Sequence, residues 1–136
     1  MNEYAVISII TRKLVEAGGK INIPLLKGDS FFEAIYDSNG IYVSNLNTLP
    51  FLPWSVFVET IKLLNEKGGQ AIKGDAMNCK LGEVGLPFDS IEGRIAHIVY
   101  GKQLGDSAFR RVTPISCILA YCEVCKSEHG KLYLAN

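Results

Sequence analysis

An Asn-Gly pair at positions 39 and 40 separates two strand-like runs, Phe31–Tyr36 and Ile41–Leu46. Asparagine and glycine readily adopt the positive φ angles of tight hairpin turns, so this spacing favours two antiparallel strands. The sequence therefore predicts a β-hairpin at residues 31–46, and with it an antiparallel sheet as part of the fold.

Apolar residues spaced three and four apart predict an amphipathic helix on each side of this hairpin. The N-terminal helix covers residues 3–17 and the central helix residues 53–67, and two consecutive glycines follow each of them. Several β-branched residues in the N-terminal segment leave a strand open as an alternative there. Short strands are predicted after the two glycine pairs, at Ile21–Leu25 and at Ala71–Lys73.

A C-terminal helical unit that ends in a short strand is predicted at residues 89–125. Its first helix begins with a capping box formed by Asp89 and Glu92, and it ends at a left-handed Gly101. Gly93 lies inside this helix, where glycine costs about 1 kcal/mol relative to alanine. We therefore expect another backbone or a partner chain to approach the helix closely at Gly93.

The second helix of the unit is predicted to begin with Thr113 as N-cap and Pro114 at the first helical position. The segment before it is either a short helix at residues 106–110 or a strand at residues 108–112. With the last strand at residues 131–134, the first alternative gives an arrangement similar to a winged helix.

Together these elements predict a single α+β domain covering residues 1–136. The chain carries 14 basic and 14 acidic side chains, so its net charge is zero. A broad nucleic-acid-binding surface is usually clearly basic, and the charge balance therefore limits any such surface to a local patch. We find neither a membrane-spanning run nor an export signal, and we expect a cytoplasmic location without a membrane partner.

The compact basic cluster consists of Arg110 and Arg111, with Lys102 and Arg94 nearby. If exposed together, these side chains can neutralise neighbouring phosphates, so a DNA-associated regulator with weak, salt-sensitive binding is one functional prediction. A solvated basic loop without a ligand is the alternative interpretation.

A small-molecule or catalytic site is the second functional prediction. It would use the Gly-rich segment 70–88 together with His97 and Tyr100, which lie opposite the apolar stripe of their helix. The sequence contains none of the standard enzyme signatures, and we assign no catalytic residue. A non-enzymatic binding or regulatory module is therefore favoured over an enzyme.

Cys122 and Cys125 have the spacing of half a zinc site, and His129 follows four residues later. A fourth ligand would have to come from Cys79, Cys117 or His97. Because the site is incomplete and cysteine also packs well in a core, we expect no bound metal and no other cofactor.

Two further expectations concern the chain as a whole. The unit Leu14–Gly19 is echoed by Leu64–Gly69, and Lys27-Gly28-Asp29 is echoed by Lys73-Gly74-Asp75, as in a duplication. Reuse of the same helix-ending and turn residues is the other explanation. A homodimer is also expected, because the chain has many apolar faces for its size.

Overall fold

The computed structural model describes residues 1–135. That part of the chain contains four helices and seven strands, and the strands form two antiparallel sheets. The helices are α1 (Ala5–Glu16), α2 (Trp54–Glu66), α3 (Ile91–Arg94, continued by a π-helical segment, Ile95–Val99) and α4 (Val112–Tyr121). The first sheet consists, in spatial order, of β1 (Lys20–Pro24), β2 (Phe31–Asp37), β3 (Gly40–Val43) and β4 (Phe51–Pro53). The second consists, in spatial order, of β5 (Gln70–Ile72), β7 (Lys131–Leu134) and β6 (Cys125–Glu128). This architecture confirms the predicted α+β class.

The predicted hairpin is formed by β2 and β3, with Asp37 opposite Gly40 beside the turn. The backbone N–H of Asn39 donates to the Asp37 carboxylate at 2.9 Å, which holds the turn in place. Gly40 also has no room for a side chain, because a Cβ there would meet the carbonyl oxygen of Leu52. Leu52 belongs to β4, a strand that the sequence presents only as a proline-flanked connector.

Three of the helices end in the same way, with a left-handed residue followed by a backbone N–H that reaches back five residues. The donor and acceptor pairs are Gly19 and Leu14, Gly69 and Leu64, and Val124 and Leu119, at 2.7, 2.7 and 2.9 Å. The left-handed residues are Gly18, Gly68 and Glu123. The two echoed segments therefore have the same helix-ending backbone geometry, and the C-terminus of α4 has it as well, with Glu123 in place of glycine.

The elements follow one another as α2-β5-α3-α4-β6-β7, and with the strand order β5-β7-β6 this is the topology of a winged-helix unit. Its three helices are α2, α3 and α4, and the predicted short helix at residues 106–110 is not part of it. Strand β1 of the first sheet packs against α4, and Tyr121, with 39% of its surface exposed, is the most exposed residue of α4. For the segment before α4, the sequence predicts a short helix at residues 106–110 or a strand at residues 108–112. Both predictions are wrong, because residues 101–111 form neither a helix nor a strand.

The predicted capping box at the start of α3 is wrong. Ser90, not Asp89, is the N-cap, and its Oγ accepts a hydrogen bond from the backbone N–H of Gly93 at 3.0 Å. Asp89 instead forms an ion pair with Lys67 at 2.7 Å. Glu92, the other half of the predicted box, is buried with 1% of its surface exposed and has a different partner.

Gly93 does have the close backbone neighbour that the sequence predicts. A Cβ at this position would collide with the carbonyl oxygen of Pro87 and would lie 2.9 Å from its carbonyl carbon. The predicted end of the helical segment is also confirmed, since Gly101 follows it with a φ of 70°.

One continuous hydrophobic core joins the two sheets and the helices. The ring of Trp54 lies 6.3 Å from that of Tyr36 and 6.1 Å from that of Phe57, and Leu52 is fully buried. Part of the apolar surface that motivates the predicted homodimer is therefore covered within one chain. The homodimer stays a prediction, which a light-scattering mass would check.

Two irregular segments, 73–90 and 101–111, hold each other in place beside the core. The backbone N–H of Gly105 donates to the carbonyl of Leu81 at 2.8 Å, and the N–H of Leu81 donates to the carbonyl of Asp106 at 2.9 Å. Leu81 also belongs to a small second apolar cluster beneath the first segment. The Gly-rich segment is therefore a packed part of the fold.

Candidate functional site

A cavity of about 670 Å³ lies beside α4, between the two sheets. Its walls come mainly from four stretches of chain, 25–30, 72–77, 112–117 and 127–130. The first connects β1 to β2, the second follows β5, the third is the beginning of α4, and the last is the β6–β7 turn. Pockets for small molecules measure about 300 to 1,000 Å³, and this cavity falls within that range.

Lys73 is the best-positioned polar side chain of the cavity. Its backbone N–H donates to the carbonyl of Gly130 at 2.8 Å, and its carbonyl accepts from the N–H of Glu92 at 2.9 Å. The ammonium donates to Ser127 Oγ at 2.7 Å. The side chain is half-buried, and this burial lowers the pKa of Lys73 because the charged form loses water. Among residues 1–135 no carboxylate lies within ion-pair distance of its Nζ.

Glu92 is a buried residue of the cavity lining that contacts the start of α4. Both of its carboxylate oxygens lie 2.9 Å from the backbone nitrogen of Arg111, whose N–H donates to them. The predicted N-cap Thr113 is wrong, because α4 begins at Val112 with Arg111 as its N-cap, and Thr113 lies in its first turn. Burial raises the pKa of Glu92 to about 7. Hydrogen bonds from the N–H groups of Arg111 and Val112, and the positive charges of Arg110 and Arg111, act in the opposite direction.

Asp75, the other acidic residue of the lining, directs its carboxylate into its own turn. One oxygen accepts from the backbone N–H groups of Met77 and Asn78, each at 3.1 Å, and the other accepts from the Asn78 amide at 3.0 Å. These bonds lower the pKa of Asp75, with the Asn78 side chain as the largest cause. Both acidic groups of the lining therefore have hydrogen-bonding partners of their own.

Arg111, half of the predicted basic pair, is buried, with 1% of its surface exposed. Its guanidinium lies over the rings of Tyr100 and Phe109, 5.2 and 5.6 Å from their centres, and Nη1 donates to the carbonyl of Leu49. In this position Arg111 supports the core and does not reach a surface phosphate.

The other three basic residues do not form one surface with Arg111. Arg94 is held by Glu59 at 2.9 Å and by both carboxylate oxygens of Glu66, at 3.0 and 2.8 Å. Lys102 is partly exposed and lies over an aromatic ring, whereas Arg110 is exposed at the rim of the cavity. Arg110 is the one member of the predicted cluster that also lines the cavity.

His97 and Tyr100 do not line the cavity. The Nδ1 atom of His97 lies 2.8 Å from the carbonyl oxygen of Lys102, and the ring meets Phe88 edge-on. The hydroxyl of Tyr100 is buried, and this burial raises the pKa of Tyr100. The segment 70–88 thus contributes to a cavity as the alternative prediction requires, but without the two side chains assigned to it.

Cys122 and Cys125 belong to the core, where burial raises the pKa of the first thiol to about 11 and of the second to about 12. His129 is exposed in the β6–β7 turn. Within residues 1–135, no three side chains of the metal-binding types converge on one point.

Sequence reasoning missed Lys73, Ser127 and Thr113 as neighbours, because they come from three distant segments of the chain. One signal pointed towards them, namely the echo between the two Lys-Gly-Asp turns. Lys27 of the first turn and all three residues of the second turn line the cavity. The repeated turns therefore face the same space.

Compared with protein-family models, curated proteins and solved structures, the chain shows no significant match. Across the described residues, no helix has both the length and the apolar character needed to cross a membrane.

Proposed function

We propose that this chain is a non-enzymatic regulatory module that binds a small molecule in the cavity beside α4. The observation that carries the proposal is the cavity itself, which combines the size of a ligand pocket with apolar walls and a few polar groups. The β1–β2 loop of the first sheet and strands β5 and β6 of the second contribute residues to its lining, so a bound ligand would connect the two halves of the fold. Such a connection gives a ligand the means to alter how the halves are held together.

A neutral apolar dye, phenylnaphthylamine (NPN), tests for an accessible cavity independently of charge. We expect NPN to bind with a stoichiometry of one per chain, measured by its fluorescence. Replacing Thr113 by tryptophan places a large ring in the cavity and should abolish this binding. Tyr121→Trp adds the same ring at the exposed end of the same helix and should leave binding unchanged.

Melting curves of both variants check that each remains folded. If NPN binds wild type and Thr113→Trp equally well, the dye occupies another surface, and the proposed ligand site is wrong.

DNA association is a second candidate, favoured by the winged-helix order of the second unit. Because α4 is covered by β1, any contact would rely on the exposed Arg110 and the partly exposed Lys102. We expect weak binding, and Arg110→Ala should reduce the slope of log affinity against log salt by about 1. Arg12→Ala, an exposed arginine on α1, serves as the control. Absence of binding by wild type at low salt would remove this candidate.

A further inference from the structure

The acidic groups that line the cavity have hydrogen-bond donors of their own, whereas in the described part of the chain the basic groups that line it have no carboxylate partner. Of its acidic groups, Glu92 contacts the N-terminus of α4, and Asp75 contacts its own turn. Among residues 1–135, in contrast, the basic groups Lys27, Lys73 and Arg110 have no carboxylate within ion-pair distance. An anion entering the cavity would therefore meet unpaired positive charge, and it would not have to displace an existing ion pair.

Lys73 is the basic group best suited to hold such an anion. The backbone N–H and C=O of Lys73 are both hydrogen-bonded, and its ammonium donates to Ser127. The side chain is therefore already ordered, and binding costs it little conformational entropy. The half-buried ammonium has given up part of its hydration without gaining an ionic partner, which is also why its pKa is lowered. A bound anion would supply the missing partner in a partly desolvated place, where a charged hydrogen bond is stronger than in water.

The apolar side chains that line the cavity indicate the chemical character of the uncharged part of the ligand. The lining includes exposed or partly exposed apolar side chains from both sides of the cavity, namely Leu25, Leu26, Ile72, Met77 and Val84. A small, strongly hydrated ion such as inorganic phosphate would leave these walls without a partner. A molecule with one anionic group and an apolar body would satisfy the ammonium and cover the walls at the same time.

We propose that the cavity binds an amphipathic organic monoanion, a carboxylate or sulfonate whose charged group contacts Lys73 Nζ and Ser127 Oγ while its apolar body lies against Leu26 and Met77. This inference rests on the proposed ligand-binding function and names the chemical class of the ligand. Either acid group presents oxygen atoms that can accept from the ammonium and from the serine hydroxyl.

A matched pair of dyes tests the inference. Anilinonaphthalene sulfonate (ANS) has the ring system of NPN with an added sulfonate, so the difference in their affinities reports the contribution of the anion. We expect wild type to bind ANS more tightly than NPN. Lys73→Met, which keeps the length of the side chain and removes its charge, should weaken ANS binding by roughly 10- to 100-fold, as expected for a hydrogen bond to a charged group.

The control variant is Lys126→Met, which removes an exposed lysine next to Ser127 on β6 and outside the cavity lining. It should leave the affinity for ANS unchanged, and Lys73→Met should leave the affinity for NPN unchanged. Octanoate, which has a carboxylate and an apolar chain, should displace ANS from wild type at a lower concentration than octanol, which lacks the charge.

The possible failures are distinguishable. If wild type binds NPN as tightly as ANS, the cavity exists but the ligand is not selected by its charge, and the inference about the monoanion is wrong. This comparison needs no variant, so it decides the question even if Lys73→Met does not fold. If neither dye binds, the proposed function and the inference fail together.

Discussion

Replacing Gly93 by alanine is expected to destabilise the protein by about 1 to 3 kcal/mol, a large effect for the addition of one methyl group. Helix propensity alone predicts the opposite, since alanine is favoured over glycine by about 1 kcal/mol in a helix interior. The steric effect dominates because a Cβ at Gly93 would collide with the carbonyl oxygen of Pro87 and would lie 2.9 Å from Ser90 Oγ. That serine oxygen caps α3, so the collision disturbs the start of the helix as well.

Urea denaturation of the wild-type and variant proteins measures the difference in the free energy of unfolding. Ser8→Ala is the control, because Ser8 is exposed in the middle of α1 and the change improves helix propensity without a collision. It should stabilise the protein by a few tenths of a kcal/mol. If Gly93→Ala is also stabilising, the close approach of Pro87 does not exist in solution.

The second large effect is a loss of stability as the pH rises through the range in which Glu92 ionises. The pKa of Glu92 in the folded protein is about 7, above its ordinary value of 4.5, so between these values the folded state binds more protons than the unfolded state. Stability is therefore highest below about pH 4.5 as far as this group is concerned, and it falls until about pH 7. The expected loss is about 3 kcal/mol, since each pKa unit corresponds to about 1.4 kcal/mol.

Glu92→Gln isolates this contribution from that of every other titrating group. The amide oxygen can still accept the hydrogen bond from the backbone N–H of Arg111, but the side chain no longer ionises. Free energies of unfolding measured between about pH 5 and pH 8 should therefore fall in wild type and change much less in the variant. Equal slopes in the two proteins would show that Arg111 and the N-terminus of α4 hold Glu92 ionised throughout this range.

The sequence predicts those parts of the fold that depend on neighbouring residues. The hairpin around Asn39 and Gly40 forms as expected, although its turn residues are Ser38 and Asn39 and neither has the positive φ on which the prediction relied. The glycine pairs after α1 and α2 act in the same local way. The capping box failed because Asp89 and Ser90 are both good N-cap residues, and the ion pair of Asp89 with Lys67, 22 residues away, separates their roles.

The site was less predictable because its residues are related only through the tertiary structure. Arg111 follows a charged residue in an irregular segment, which favours exposure, yet two aromatic rings and a carbonyl group enclose it. Nothing within a few positions of Arg111 reveals those partners. Lys73 and Ser127 are likewise 54 positions apart, and the pairing of β5 and β6 with β7 brings them together.

The packing of β1 against α4 also has a consequence for the order of events during synthesis. Strands β1 to β4 are neighbours in space in the same order as in the sequence, so the pairing within the first sheet joins only residues that are close together in the chain. The cavity, in contrast, requires the turn at residues 25–30 to meet residues 112–130, which are synthesised well after the four strands of the first sheet. The cavity can therefore be complete only after the segment 112–130 has been synthesised and has packed against β1.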